Sequence, residues 1–419
     1  MITTPRHKRL ALGLWSLLLL LACSPATSHA QTVPTASACE EIRQFLSDVE
    51  SHNEQLRSLH KANLALMADR RADNRPGATS VEYSPFYQSD YQGVASSELI
   101  VQQEFDFPTL YASRQKSGNA MQQVLDLQYG TLRRDVLLQA INTLYDLCEA
   151  RQTQHLLHNR MAAADTLLTA YERRLTQGDA TRLDVNRIKM DKMELSAEAL
   201  RCESRIQTLI HELTRLNGGE DLTSASITLV SDPEAVLRAL PYANAVRQLA
   251  TAPASTGSHE VQLAEAAKTL ARREMSEARQ SWLPQLTLGY RRNTERQEAL
   301  NGFIVGMSLP LWSNKSKVKA ARLRQEAAES DLAVAMSAAE ARRQSLDAEV
   351  SQLRLLLEAY DVTLMHEQLT LLHHAVEAGQ LSLIEYYTEA DRIHTLLQTR
   401  LQTLVEYHKL LTELYRDDI

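Results

Sequence analysis

The stretch RLTQGDATRLDVNRIK, Arg174 to Lys189, places one glycine in a run that otherwise reads as uninterrupted helix, and AVEAGQLSLIEYYTEADRIH, Ala375 to His394, does the same about 200 residues later. Gly178 and Gly379 are 201 residues apart. Pro108 in EFDFPTLYASRQK and Pro310 in GMSLPLWSNKSKVKAAR are 202 apart, and SHNEQLRSLHKANLALMADRR from Ser51 is echoed by SHEVQLAEAAKTLARREMSEAR from Ser258 at an offset of 207. Such steady offsets indicate two copies of one unit.

Proline-to-glycine intervals of 70 and 69 residues separate Pro108 from Gly178 and Pro310 from Gly379. No proline interrupts either interval, which predicts a continuous helix in each. Leu137, Ile141, Leu144 and Cys148 step by 4, 3 and 4, and Leu346, Val350, Leu353, Leu357, Tyr360 and Leu364 continue the same alternation, the mean 3.5 spacing of a coiled-coil seam. A helix of that size is roughly 100 Å long. After each glycine the pattern resumes for another helix, so Gly178 and Gly379 mark reversals, where a left-handed residue is easiest to place.

Short alternating segments precede the two prolines. Leu99, Val101, Phe105 and Phe107 share one side of a strand; Leu286, Leu288 and Tyr290 share one side of a second, and Phe303, Val305, Met307 and Leu309 one side of a third. Val81, Tyr83 and Tyr87 form a weaker fourth case, interrupted by Pro85. These make two hairpins with polar connections expected at residues 88–97 and 293–301. Trp282 and Trp312 flank the second hairpin at one end, the placement of interfacial indoles in a membrane β-barrel.

Composition agrees with a helix-rich chain: 13 Gly and 11 Pro among 419 residues leave few turns, while 44% apolar content can bury a core. Arg6, Lys8 and Arg9 precede the apolar run Leu10 to Ala22, too short to span a bilayer, which reads as a secretory signal. Cleavage after Ser28-His29-Ala30 is preferred; the competing site precedes Cys23, which would then carry a lipid. Removal of residues 1–30 takes the formal charge from −7 to −10, so nucleic acid is not an expected partner. Cys39, Cys148 and Cys202 lack CxxC spacing and read as isolated thiols. His155, His158, His373 and His374 read as ordinary helix histidines, and no metal or cofactor site is expected. GxxxxGK[ST], HExxH, GxSxG and dinucleotide glycine motifs are missing, so the chain does not read as an enzyme.

The strand-end prolines, the reversal motifs QGDATRLDV and AGQLSLIEY and the strand-strand-helix-helix order resemble the TolC-like outer membrane efflux proteins over nearly all of the chain beyond residue 30. The resemblance implies a mainly α fold with a small β part. It would form a homotrimer whose four strands per chain build a 12-stranded outer-membrane barrel, continued by a periplasmic α-helical tube. It further implies the outer membrane of a Gram-negative bacterium, contact with outer-membrane lipid, and a periplasmic adaptor and inner-membrane pump as partners. On that plan the segments are 1–30 signal, 31–76 helical, 77–108 hairpin, 109–220 helical hairpin, 221–257 linker, 258–283 helix, 284–310 hairpin and 311–419 helical hairpin.

Asp184 and Glu385, each six residues after its glycine, match the acidic position near the narrow mouth of the family, and threefold symmetry would make two carboxylate rings there. Arg182 is placed to pair with such a carboxylate; the second copy carries a leucine instead. SLPLWSNKSKVKAAR and AGQLSLIEYY lean toward the branch associated with heavy-metal cation efflux. Two alternatives are a periplasmic adaptor, which would show one hairpin between long β domains, and a structural coiled-coil protein, which leaves the strands unexplained.

Overall fold

A computed structural model of the chain describes residues 35–89, 92–222, 230–239, 258–295, 298–309 and 314–418. The expected signal, Cys23, Pro310, Trp312 and most of the 221–257 linker lie outside them. Helices α1 (Thr35–His52) and α2 (Glu54–Ala72) are parted at Asn53, whose side chain accepts from the amides of Gln55 and Leu56 and donates to the Leu216 carbonyl at 3.0 Å. That buried amide therefore caps one helix and ties it to the end of another.

One four-stranded antiparallel sheet follows the order β1 (Ser80–Tyr87), β2 (Val94–Phe105), β3 (Gln285–Glu295) and β4 (Glu298–Ser308). Its register aligns the apolar residues read from the sequence. Val81 faces Val101, which faces Tyr290, which faces Phe303; Leu288 faces Val305, and Phe105, Leu286 and Met307 form the next tier. One face of the sheet is thus mostly apolar across the four strands, with Gln103, Arg292 and Asn301 among its residues, yet Phe303 is 90% and Val305 81% exposed. The opposite face carries Gln102, Glu104, Thr287, Gly289, Arg291, Gly302 and Gly306, together with Ile100, Leu300 and Ile304. Pro85 lies in β1, an edge strand, where its missing N–H interrupts no ladder on the open side. Between β3 and β4 the pairing extends to Glu295 and Glu298, and β2 begins at Val94, so both connections are shorter than the sequence suggests. Polar residues continue a ladder as well as apolar ones do when water lies on both sides of it.

Helix α3 (Pro108–Gln177) runs for 70 residues without a break. Pro108 occupies its first turn, where the absent N–H would have had no helical acceptor. Leu137, Ile141, Leu144 and Cys148 are all buried, as the seam requires. Helix α4 (Arg182–Leu216) packs back along it, followed by the short α5 (Pro233–Ala239) and by α6 (His259–Gln280), which ends just before Trp282 and β3.

The second long interval differs from its expected form. Helix α7 (Asn314–Glu358) stops, residues 359–361 leave the helix, and α8 (Val362–Glu377) begins anew with Asp361 accepting from the Leu364 amide at 3.0 Å. The local carboxylate cap competes with helix continuation, a preference of aspartate that heptad counting ignores. The seam shifts in consequence. Leu364 is 60% exposed, and Val362, Met365, Leu369, Leu372 and Val376 take over the packing. Helix α9 (Leu383–Leu414) and a final 3-10 turn (Arg416–Asp418) complete the chain.

Two cores hold the helices. The larger spans α1, α3 up to Ala164, α4 from Leu195 and α9 from Leu401; the smaller contains Leu167, Tyr171, Val185, Ile188, Leu372, Val376 and α9 from Leu383 to Leu397. Near the larger core an ion cluster fastens the carboxyl-terminal turn. Arg134, almost wholly buried, pairs with Asp417; Arg416 pairs with Glu260 and with Glu413 at 3.3 Å; Arg342 pairs with Glu413 and reaches Glu260 at 3.5 Å. Cys148 and Cys202 are buried free thiols and Cys39 is half-buried and free.

Candidate functional site at the helical reversals

Both reversals are built alike. Gly178 adopts φ 84°, in the left-handed region; its amide donates to the Leu175 carbonyl at 3.3 Å and the Asp179 amide to Arg174 at 2.9 Å. Gly379 adopts φ 74°, with its amide on Val376 at 3.2 Å and that of Gln380 on Ala375 at 2.9 Å. These are paired Schellman closures, which satisfy the last helical carbonyls only if the residue after the helix accepts positive φ. The glycines therefore end helices.

Each following helix starts with a capping box. The Thr181 hydroxyl accepts from the Asp184 amide at 3.2 Å, and the Asp184 carboxylate accepts from the Thr181 amide at 2.9 Å and hydroxyl at 2.7 Å. Ser382 and Glu385 repeat the motif at 3.3, 3.0 and 2.7 Å. The hydroxyl and amide donors hold both carboxyls below their ordinary pKa, so both stay ionised at neutral pH. T-x-x-D and S-x-x-E were legible in the sequence as helix-start signatures, although Asp184 and Glu385 were singled out there only for their charge.

Arg182, the first residue of α4, forms no ion pair among the described residues. Asp184 is instead committed to Thr181. At the equivalent place in the second reversal Leu383 is buried in the smaller core.

Arg174 joins the two reversals. Its guanidinium lies 5.3 Å from the Tyr171 ring centroid, donates to the Val376 carbonyl at 3.4 Å, and stands 2.5 Å from where a Cβ on Gly379 would be. A Cβ on Gly178 would meet nothing within 4 Å. Sequence spacing gives no hint of this asymmetry, because the two residues are far apart along the chain.

Farther along the helices lies a small, half-buried cavity lined by Arg160, Asp191, Tyr386, Tyr387, Asp391 and His394 and walled in part by Ala163, Ala164, Leu167 and Ala390. Arg160 pairs with Asp391 at 2.9 Å, and the Arg187 guanidinium sits 5.6 Å from the Tyr387 ring. Burial pushes the Asp191 carboxyl and the Tyr387 phenol up, and lowers His394 to about 4. None of these residues stood out in the sequence. No group of three metal-ligating side chains forms among the described residues; His373 instead reaches Glu377 at 3.5 Å.

At the other end, Trp282 sits between α6 and β3 and is 40% exposed. No helix among the described residues is long and apolar enough to cross a membrane.

This arrangement, a four-stranded sheet on very long antiparallel helices with two capped reversals, recurs in solved structures. A membrane protein from Pseudomonas aeruginosa superposes with a TM-score of 0.69 at 17% identity, over 90% of this chain and 93% of that one. CusC, described for transmembrane channel formation, gives 0.65 at 16% identity over 90% and 92%, and the outer-membrane channel OprN 0.67 at 14% over 91% of each. The chain has the outer-membrane-channel fold. It is the fold that the TolC-like resemblance implies. No family model and no curated protein sequence matches the chain.

Within the outer-membrane-channel fold, the sheet with its exposed apolar face and the capped reversals occupy opposite ends of the long helices. The carboxylates of Asp184 and Glu385 thus lie far from Trp282, with the two packed cores between them.

Proposed function

We propose that this chain is the subunit of an outer-membrane duct of a tripartite efflux or secretion system, which passively conducts substrates delivered by an inner-membrane pump and a periplasmic adaptor. The observation that carries this reading is the in-register apolar face of the sheet, left exposed at the end of helices about 100 Å long. A face of that kind suits lipid, while its glycine-rich reverse suits a wet lumen.

Four strands cannot close a barrel, whereas three copies supply 12. The helices support self-association too. Leu183, Met190, Met193 and Leu200 on α4 are exposed at coiled-coil spacing, as are Leu364 and Leu371 on α8, so these seams await another copy of the chain. The order of elements, with one sheet hairpin and one helical reversal in each half, fits duplication of a single unit.

In this assembly Gly178 and Gly379 turn the helices at the periplasmic mouth, and ionised Asp184 and Glu385 form carboxylate rings that favour cations. Heavy-metal cations are the favoured cargo. An adaptor or a purely structural envelope protein would leave the apolar sheet face without an environment.

Recording from planar bilayers tests the reading. The membrane-extracted protein is expected to be a trimer with a cation-selective conductance, and D184N combined with E385Q is expected to lower that selectivity. A monomer without conductance would refute the duct.

A further inference from the structure

The four places where strands meet helices are residues 69–79, 106–117, 274–284 and 314–324. Together they hold 11 Arg and Lys against 5 Asp and Glu, a formal charge of +6 in a chain whose total is −7. The remainder of the chain therefore carries −13, and positive charge is gathered at one level.

Much of the acidic share is already engaged. Asp106 binds Arg114 at 2.7 Å, while Glu274 and Glu277 lie 3.6 and 3.9 Å from Arg70, and Glu277 also accepts from the Ser117 hydroxyl at 2.7 Å. Lys116, Arg279, Lys315, Lys317, Lys319 and Arg324 are exposed and form no ion pair among the described residues. Ion pairing within the fold thus engages Arg70 and Arg114 and leaves these six cations available.

Their position defines what they face. The first apolar tier of the sheet, Phe105, Leu286 and Met307, starts within a few residues of this collar, which itself includes exposed Trp282. Cations on long stems beside an apolar belt and an amphipathic indole match a membrane surface, where the stems lie along acyl chains and the heads reach phosphate.

We propose that this cationic collar binds the anionic headgroups of phospholipids in the leaflet that borders the helical half of the protein. The inference rests on the sheet being embedded in a bilayer, as proposed above. Electrostatic attraction of this kind is worth about fivefold in affinity for each Lys or Arg near an anionic surface.

The test uses full-length protein reconstituted in vesicles of phosphatidylethanolamine mixed with phosphatidylglycerol and cardiolipin. Lipids retained after detergent washing are quantified by mass spectrometry. The expected result is enrichment of the anionic lipids over the vesicle composition, reduced at least about tenfold in the triple variant K315Q/K317Q/K319Q, with insertion and conductance retained. Equal retention of zwitterionic and anionic lipid by the unaltered protein overturns the proposal. So does a variant whose ion selectivity changes while its lipid content does not, because the collar would then face the lumen. Failure of the unaltered protein to insert in any vesicle refutes the embedded sheet instead, and is read separately from the lipid ratio.

Discussion

Substituting alanine at Gly379 and at Gly178 should have unequal costs, and Arg174 should account for the difference. Both positions have positive φ, so a Cβ costs about 1–2 kcal/mol in either. At Gly178 nothing more is lost, since a Cβ there meets open space. At Gly379 the new methyl would stand 2.5 Å from the Arg174 guanidinium. That group is the free end of a flexible side chain, so it swings away, giving up its hydrogen bond to the Val376 carbonyl and its place over Tyr171. Those contacts are worth roughly 1 kcal/mol and 0.5–1 kcal/mol. The expected total is about 3 kcal/mol at Gly379 against about 1.5 kcal/mol at Gly178.

A double-mutant cycle with R174A isolates the difference. Amide hydrogen exchange in peptides covering Asp179 and Gln380, whose amides close the two reversals, reads local opening without unfolding the whole protein. G379A should speed exchange about tenfold more than G178A does, and the gap should vanish when Arg174 is already alanine. Equal acceleration by the two substitutions in the Arg174 protein would show that the guanidinium does not connect the reversals.

Four further outcomes are expected. Replacing Thr181 or Ser382 with alanine should destabilise its helix start by about 1 kcal/mol at neutral pH, measured by the same exchange. Because the Asp184 and Glu385 pKa values are depressed by those donors, their share of the stability is present above the ordinary carboxylate values of 3.8 and 4.5 and is lost as pH falls below them; exchange that does not quicken in acid would contradict the caps. His394, lowered from 6.5 to about 4, is neutral in the fold but takes a proton when unfolded, so the region should weaken as pH falls from 6.5 toward 4; a thermal melt series should lose most of that slope in H394Q, and an unchanged slope would assign it elsewhere. G289V should prevent sheet assembly, since even a Cβ would lie 2.7 Å from the Val101 carbonyl oxygen; an intact sheet by circular dichroism and protease resistance would refute that packing.

The reversals and the sheet were legible because each rests on a local rule. Positive φ selects glycine, and alternation fixes which strand residues share a face, so Leu286, Leu288 and Tyr290 fall opposite Met307, Val305 and Phe303 as their spacing indicates. The interruption at 359–361 was not legible, since Leu357, Tyr360 and Leu364 keep the heptad and only the cap at Asp361 shows that the helix has stopped. Arg174 and the Asp191–Tyr387 surroundings were hidden for another reason. Their neighbours come from positions up to 231 residues apart, and no property of a helical sequence states which flank meets which.

The interruption between α7 and α8 lies about 16 residues above its reversal, or roughly 25 Å. The other three helices change cores near this height: α3 between Ala164 and Leu167, α4 between Ile188 and Leu195, and α9 between Leu397 and Leu401. The lower section is thus a short block with its own interior, joined to the shaft above by three stiff rods and one jointed rod. At the joint, Ala359 and Tyr360 bond three residues back and the ordinary ladder is already open, so flexing there breaks no regular helical bond. Compliance is concentrated on one side of the block, and any tilt of its end is biased in direction by which rod carries the joint.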